Sequence, residues 1–221
     1  MANALDVNGA SKVYILGRRQ ASLDKVASAA VSCFTPNLFL FNNTKQKNKS
    51  IIPIVCDIGS KESLASAAAK IASQVPYVNA VIANAALAGP ADAVTGGFSG
   101  TPTLKQLQEH LWATPLDESN DVARFNVMGS YFTFLAFLNL LEAGNTHEAS
   151  PGKSGYIPSQ FITTSSVAGF SRNNMLGYPY GASKAALTHL TKMLATEFAP
   201  YGIRANALAP GFFRTEATEV R

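Results

Sequence analysis

Cysteine is scarce in this chain. Cys33 and Cys56 are the only two in 221 residues, forming neither a CxxC pair nor a disulfide framework. That scarcity fits a reducing, cytoplasmic setting. The three histidines, at 110, 147 and 189, are scattered, which argues against a metal site. No basic start followed by an apolar stretch opens residues 1–6, so no signal peptide is expected. Charged residues make up only 14%, and the net charge of +4 is mild. The densest basic run, residues 42–49, has no interleaved aromatics and reads as a solvated loop, which argues against a nucleic-acid partner. A membrane partner is not expected either. The most membrane-like stretch, 127–141, is interrupted by Ser130, Thr133 and Asn139 and is too short for a span. It reads instead as a buried or subunit-facing helix. Repeats and linkers are also missing, so residues 1–221, at 47% hydrophobic, are expected to form a single domain around one core.

What the chain does have is alternation. Apolar β-type runs at 13–16, 51–56, 80–83, 161–164 and 203–208 are separated by helical patterns at about 21–32, 60–73, 104–120, 122–141 and 179–198. The Gly/Pro-rich tracts 88–103 and 144–158 read as loops. Near-continuous apolar strands alternating with helices imply an α/β fold, a parallel sheet covered on both faces. Ligands of such sheets bind outside the carboxyl ends of the strands, where Arg18, Asp57, Asn84 and Ser166 all fall.

The most informative segment is Tyr180-Gly-Ala-Ser-Lys184, the only place where a tyrosine has a lysine four residues on. Pro179 marks a helix start, and residues four apart share a helix face, so phenol and ammonium project side by side. A nearby ammonium favours the phenolate and makes a tyrosine a usable acid or base. Reduction of a carbonyl by hydride leaves an alkoxide that needs such a proton. Ser166, closing an apolar strand, supplies a hydroxyl to hold the substrate oxygen. On its own the Tyr180–Lys184 pair also reads as a packed ring beside a solvated cation.

Other residues suit a coenzyme. Arg18, after the first strand, reads as a partner for the extra phosphate of NADP or as a solvated strand cap. Asp57 reads as an acceptor for an adenine amino group or as the N-cap of the helix beginning near Ser60. Asn84 lines a ribose or bridges backbone. Asn126 lies in an apolar helix, where an amide needs hydrogen bonds, and is a candidate to hold a water relaying protons to Lys184. Thr215, after the turn at Pro210-Gly211, is a candidate partner for a carboxamide. The stretch 170–176 and Phe212-Phe213 would flank the reacting centre, their apolar content hinting at an acyl, polyketide-like or ring ketone.

Together these pieces resemble the short-chain dehydrogenase/reductase family. They are Asn8-Gly-Ala10 before Val13-Tyr-Ile-Leu-Gly-Arg-Arg19, Cys56-Asp57, Ala83-Asn84-Ala-Ala86, Asn126, Thr164-Ser-Ser166-Val-Ala-Gly169, Tyr180-Gly-Ala-Ser-Lys184, and Ile203-Arg-Ala-Asn-Ala-Leu-Ala-Pro-Gly211 with Thr215. The resemblance implies a three-layer, Rossmann-like doubly wound parallel sheet and a nicotinamide coenzyme, NADPH preferred over NADH because of Arg18. It further implies interconversion of a ketone and a secondary alcohol by Asn126, Ser166, Tyr180 and Lys184, with Tyr180 and Lys184 also touching the coenzyme. A homodimer or homotetramer pairing the helices at 122–141 and 179–198 is expected. Three departures stand out. The family's first strand and glycine-rich turn would precede Ala2, the double-asparagine motif keeps only Asn84, and the chain stops before the last family helix and strand. Both ends are therefore expected to be cut, leaving five of seven strands. The alternative expectation is a catalytically inactive truncated remnant, at most pairing with an intact homologue.

Overall fold

A computed structural model describes residues 1–29, 50–90, 98, 100–147, 157–174 and 176–212. Cys33, the run 42–49, Phe213 and Thr215 lie outside the described residues. The chain divides into two compact units, residues 1–57 with 62–71, and residues 58–61 with 72–221.

In the first unit, β1 (Val13–Gly17) and β2 (Ile51–Val55) pair in parallel, Val13 opposite Ile51 and Gly17 opposite Val55. β2 carries Pro53, which cannot donate to a ladder and is tolerated at a sheet edge. Three helices belong to this unit: α1 (Ala2–Val7), α2 (Gln20–Ala29) and most of α3 (Lys61–Ala72). α3 buries Leu64, Ala67, Ala68 and Ile71, the spacing of one helix face. The sequence pattern gave no sign of α1. Its Asp6 is buried and accepts a hydrogen bond from the Ser50 hydroxyl.

The second unit holds β3 (Ala80–Ala83), β4 (Gln160–Thr164) and β5 (Arg204–Leu208), all parallel with β4 central. The five strands described fall where the sequence pattern puts them. Among the described residues they form two ladders, β1–β2 and β3–β4–β5.

The helix expected over 104–120 is broken. α4 (Leu104–Trp112) starts with a capping box between Thr103 and Gln106 and ends before Pro115, which cannot donate a helical hydrogen bond. α5 (Leu116–Ala123) then runs through a π-helical segment, Arg124–Gly129, into α6 (Ser130–Thr146), so the helix expected at 122–141 starts earlier and ends later. The tract 144–158 is accordingly helical at its start. By length and composition Leu116–Thr146 could cross a membrane. One face of it lies in the core: Phe134, Phe137 and Leu141 are buried, and so are the hydrogen-bonded Asn126, Ser130, Thr133 and Asn145. α7 (Tyr178–Glu197) starts one residue before Pro179, placing the proline in the first turn. The core gathers Phe134, Leu141, Phe161, Leu194 and Ile203, with the Phe134 and Phe161 ring centroids 5.0 Å apart.

Candidate active site

Side chains alternate along β4, and Phe161, Thr163 and then Ser165 share one face. The Thr163 hydroxyl meets that of Thr191 on α7 at 2.8 Å. Ser165 donates to the Lys184 carbonyl at 3.0 Å and meets the Thr188 hydroxyl at 2.6 Å. This ladder of hydroxyls locks the carboxyl end of β4 against α7. Beyond it the chain turns through a 3-10 segment, Val167–Gly169, capped by the Ser166 hydroxyl, which accepts from the Ala168 N–H at 3.1 Å. Gly169 makes the close approach possible. A Cβ there would lie 2.8 Å from the Lys184 carbonyl carbon and from the Ala185 nitrogen. The turn carrying Ser166 is thereby held on the helix that carries Tyr180 and Lys184.

Lys184 is 2% exposed, yet its ammonium meets no carboxylate among the described residues. Among the described residues the ammonium donates one hydrogen bond, to the Thr164 carbonyl at 2.7 Å. Burial pushes its pKa down to about 8. The ammonium nitrogen lies 5.5 Å from the centre of the Tyr180 ring, so the helical spacing does bring these two side chains together. Thr164 also donates its hydroxyl to Asn84 Oδ1 at 3.0 Å. One residue of β4 thus connects Asn84, at the end of β3, with Lys184.

Asn126 is fully buried in the π-helical segment, an element concentrated at functional sites. Its Oδ1 accepts from the Leu87 N–H at 2.8 Å, while Nδ2 donates to the Leu87 carbonyl and to the Ser183 hydroxyl, both at 2.9 Å. Ser183 in turn donates to the Tyr180 carbonyl at 2.8 Å. The amide is a strut between the stretch after β3 and the first turns of α7.

In the first unit, Arg18 follows β1 and Asp57 follows β2, both at carboxyl ends. The Cys56 N–H donates to the Gly17 carbonyl at 2.9 Å, extending the ladder up to Asp57. Asp57 is not the N-cap of α3, which begins at Lys61; its own N–H donates to the Ser63 hydroxyl at 2.9 Å. Sequence reasoning missed Thr164, Ser165, Ser183, Thr188 and Gly169 as supports. The signal available was the unbroken run of hydroxyl residues along 163–166 and a hydroxyl three residues after Tyr180.

A buried ammonium beside a phenol, at the carboxyl ends of parallel strands, places the candidate site in an α/β protein. The chain belongs to the short chain dehydrogenase family, whose family model matches residues 1–221. It is an oxidoreductase fold of the Rossmann type, and the family uses nicotinamide coenzymes. The short-chain dehydrogenase/reductase PhomF of Diaporthe leptostromiformis is 41% identical over 220 residues, which are 99% of this chain and 66% of that protein. SAT3 of Stachybotrys chartarum, named the same way, is 38% identical over 98% of this chain and 75% of its own. The Pseudomonas aeruginosa RhlG/NADP complex superposes with a TM-score of 0.70 at 22% identity, covering 98% of this chain and 70% of that one. The chain therefore spans about two thirds of the length of the curated relatives it matches.

The donors present suit a nicotinamide coenzyme. Lys184 has N–H groups beyond the one given to Thr164, as a ribose hydroxyl requires.

Proposed function

We propose that residues 1–221 form a dehydrogenase domain that interconverts a small-molecule ketone and a secondary alcohol, in the cytoplasm and as a homodimer or homotetramer, with NADPH preferred over NADH. A nicotinamide coenzyme supplies the hydride for reduction and accepts it in oxidation. Ser166 holds the substrate oxygen with its hydroxyl. Tyr180 gives its phenolic proton to that oxygen as the carbon–oxygen double bond becomes an alcohol, and recovers a proton from solvent. Lys184, positively charged, stabilises the transient phenolate and donates to a ribose hydroxyl. Asn126 supports proton return by fixing Ser183 and the stretch around Leu87. Arg18 takes the extra phosphate, Asp57 the adenine amino group, Asn84 the ribose, and Thr215 the carboxamide.

The observation that carries this reading is the buried Lys184 ammonium, without a counter-ion among the described residues, over the ring of Tyr180. Leaving a buried charge so poorly paired is costly unless a ligand completes it. The test is coenzyme-dependent reduction of a panel of ketones. Tyr180→Phe is expected to lower turnover by at least ~10²-fold, the scale of a lost general acid. NADPH is expected to exceed NADH by roughly ten- to a hundredfold in kcat/KM, a preference lost in Arg18→Ala. Ketone reduction by Tyr180→Phe at the wild-type rate would remove the tyrosine from the mechanism. Coenzyme binding without any turnover would favour the non-catalytic alternative.

A further inference from the structure

Beside the reactive groups lies an apolar surface that proton transfer does not require. Val167, Phe170, Tyr178 and Phe212 are 44%, 64%, 60% and 67% exposed. They come from three stretches of chain that backbone contacts bring together. The Val167 N–H donates to the Pro210 carbonyl at 3.0 Å, setting the exit of β5, and with it Phe212, against the 3-10 turn. The Phe170 N–H donates to the Val167 carbonyl at 3.0 Å, so both side chains leave one turn. A Cβ on Gly181 would lie 3.3 Å from the Ala168 carbonyl oxygen, which brings the first turn of α7, bearing Tyr178, to the same place. Val167 adjoins Ser166, and Tyr178 stands two residues before Tyr180.

The chemistry of the patch is selective. Val167, Phe170, Tyr178 and Phe212 are uncharged, and among the described residues the charged ones that adjoin their stretches are the exposed Arg172 and the buried Lys184. The four patch side chains themselves carry no charge to neutralise a phosphate or carboxylate on the substrate, and a single hydroxyl, that of Tyr178, to meet a polyol. Three aromatic rings left in water offer flat faces and edges that prefer offset or edge-to-face contact with another ring. Large apolar side chains gathered beside convergent polar groups mark a ligand site.

We infer that the substrate is a ketone joined to a flat apolar ring system, which covers Phe170, Tyr178 and Phe212 while its oxygen reaches Ser166 and Tyr180. This rests on the reductase reading above, and binding, unlike turnover, tests it separately. The full chain is titrated with acetylnaphthalene and with dihydroxyacetone, followed by ligand-observed NMR. Acetylnaphthalene is expected to bind saturably, and dihydroxyacetone not to compete. Phe170→Ala and Phe212→Ala should each weaken binding by about five- to tenfold, the scale of one aromatic contact. Leu104→Ala, which removes an exposed apolar side chain on α4, should leave it unchanged. Equal binding by wild type and both phenylalanine variants overturns the assignment. So does an equal loss in Leu104→Ala, or no saturable binding to the wild type. Intact, patch-dependent binding with no ketone reduction would instead sink the reductase reading and leave the patch standing.

Discussion

The two ends of the β3–β4–β5 sheet use the same kinds of residue to opposite effect. At the amino end, Asn145 of α6 donates Nδ2 to the Tyr201 and Gly202 carbonyls at 3.2 and 3.0 Å, while its Oδ1 accepts from the Ser159 N–H at 2.7 Å. The Arg204 guanidinium donates twice to the Pro158 carbonyl nearby. Gly202 there takes the left-handed conformation, with φ of 68°. Every one of these bonds closes within the protein. At the carboxyl end a buried ammonium makes one hydrogen bond among the described residues, and the Ser166 hydroxyl accepts a backbone N–H. Polar groups that are fully used hold the fold together, whereas those partly used among the described residues are the ones the proposed function assigns to a ligand.

Asn145→Ala should show the largest effect on stability. It removes three hydrogen bonds and strands the buried Ser159 N–H, so urea denaturation should register a loss of about 3 kcal/mol. A loss below about 1 kcal/mol would break the comparison, because the amino end would then be no more committed to structure than the other.

At the carboxyl end the sign should reverse. The Lys184 pKa of about 8 lies below the unfolded value near ~10.4. Burying the ammonium therefore costs stability in full below pH 8, and the cost fades as pH rises from about 8 toward ~10.4, where the unfolded chain binds the extra proton. Lys184→Met should be about 2 kcal/mol more stable than wild type at pH 7, after allowing for the donor lost to the Thr164 carbonyl. That advantage should shrink across the same window. A destabilised variant, or a difference flat in pH, would mean that the lysine serves the fold.

The smallest effect sharpens the boundary between the two roles. Gly169→Ala forces a Cβ against the backbone of Lys184 and Ala185, and should cost about 1 kcal/mol in unfolding experiments. Because the displaced turn carries Ser166, ketone reduction should fall further than this loss of stability accounts for. Full activity would show that the turn's seat on α7 does not set the position of Ser166.

Much of this arrangement was legible along the chain. Alternating apolar strands and helical runs fixed the parallel α/β class, because strand and helix periods differ. The Tyr180–Lys184 pairing followed from helix geometry alone. The break before Pro115 was not read from the sequence, because helix-forming residues on both sides of the proline hid it. The two roles read for Asp57 turned on a helix start only four residues away, finer than propensity resolves.

The sequence by itself thus determined the order of the elements, the residues at the carboxyl ends of the strands, and every contact set by a local period. Tertiary structure alone decided the rest. Asn126 reaches Leu87 and Ser183 across 39 and 57 positions, and Lys184 reaches the Thr164 carbonyl across 20. No period encodes such distances. Packing α7 against β4 is what removed Lys184 from water and left Thr164 as its partner, and the lowered pKa follows from that burial.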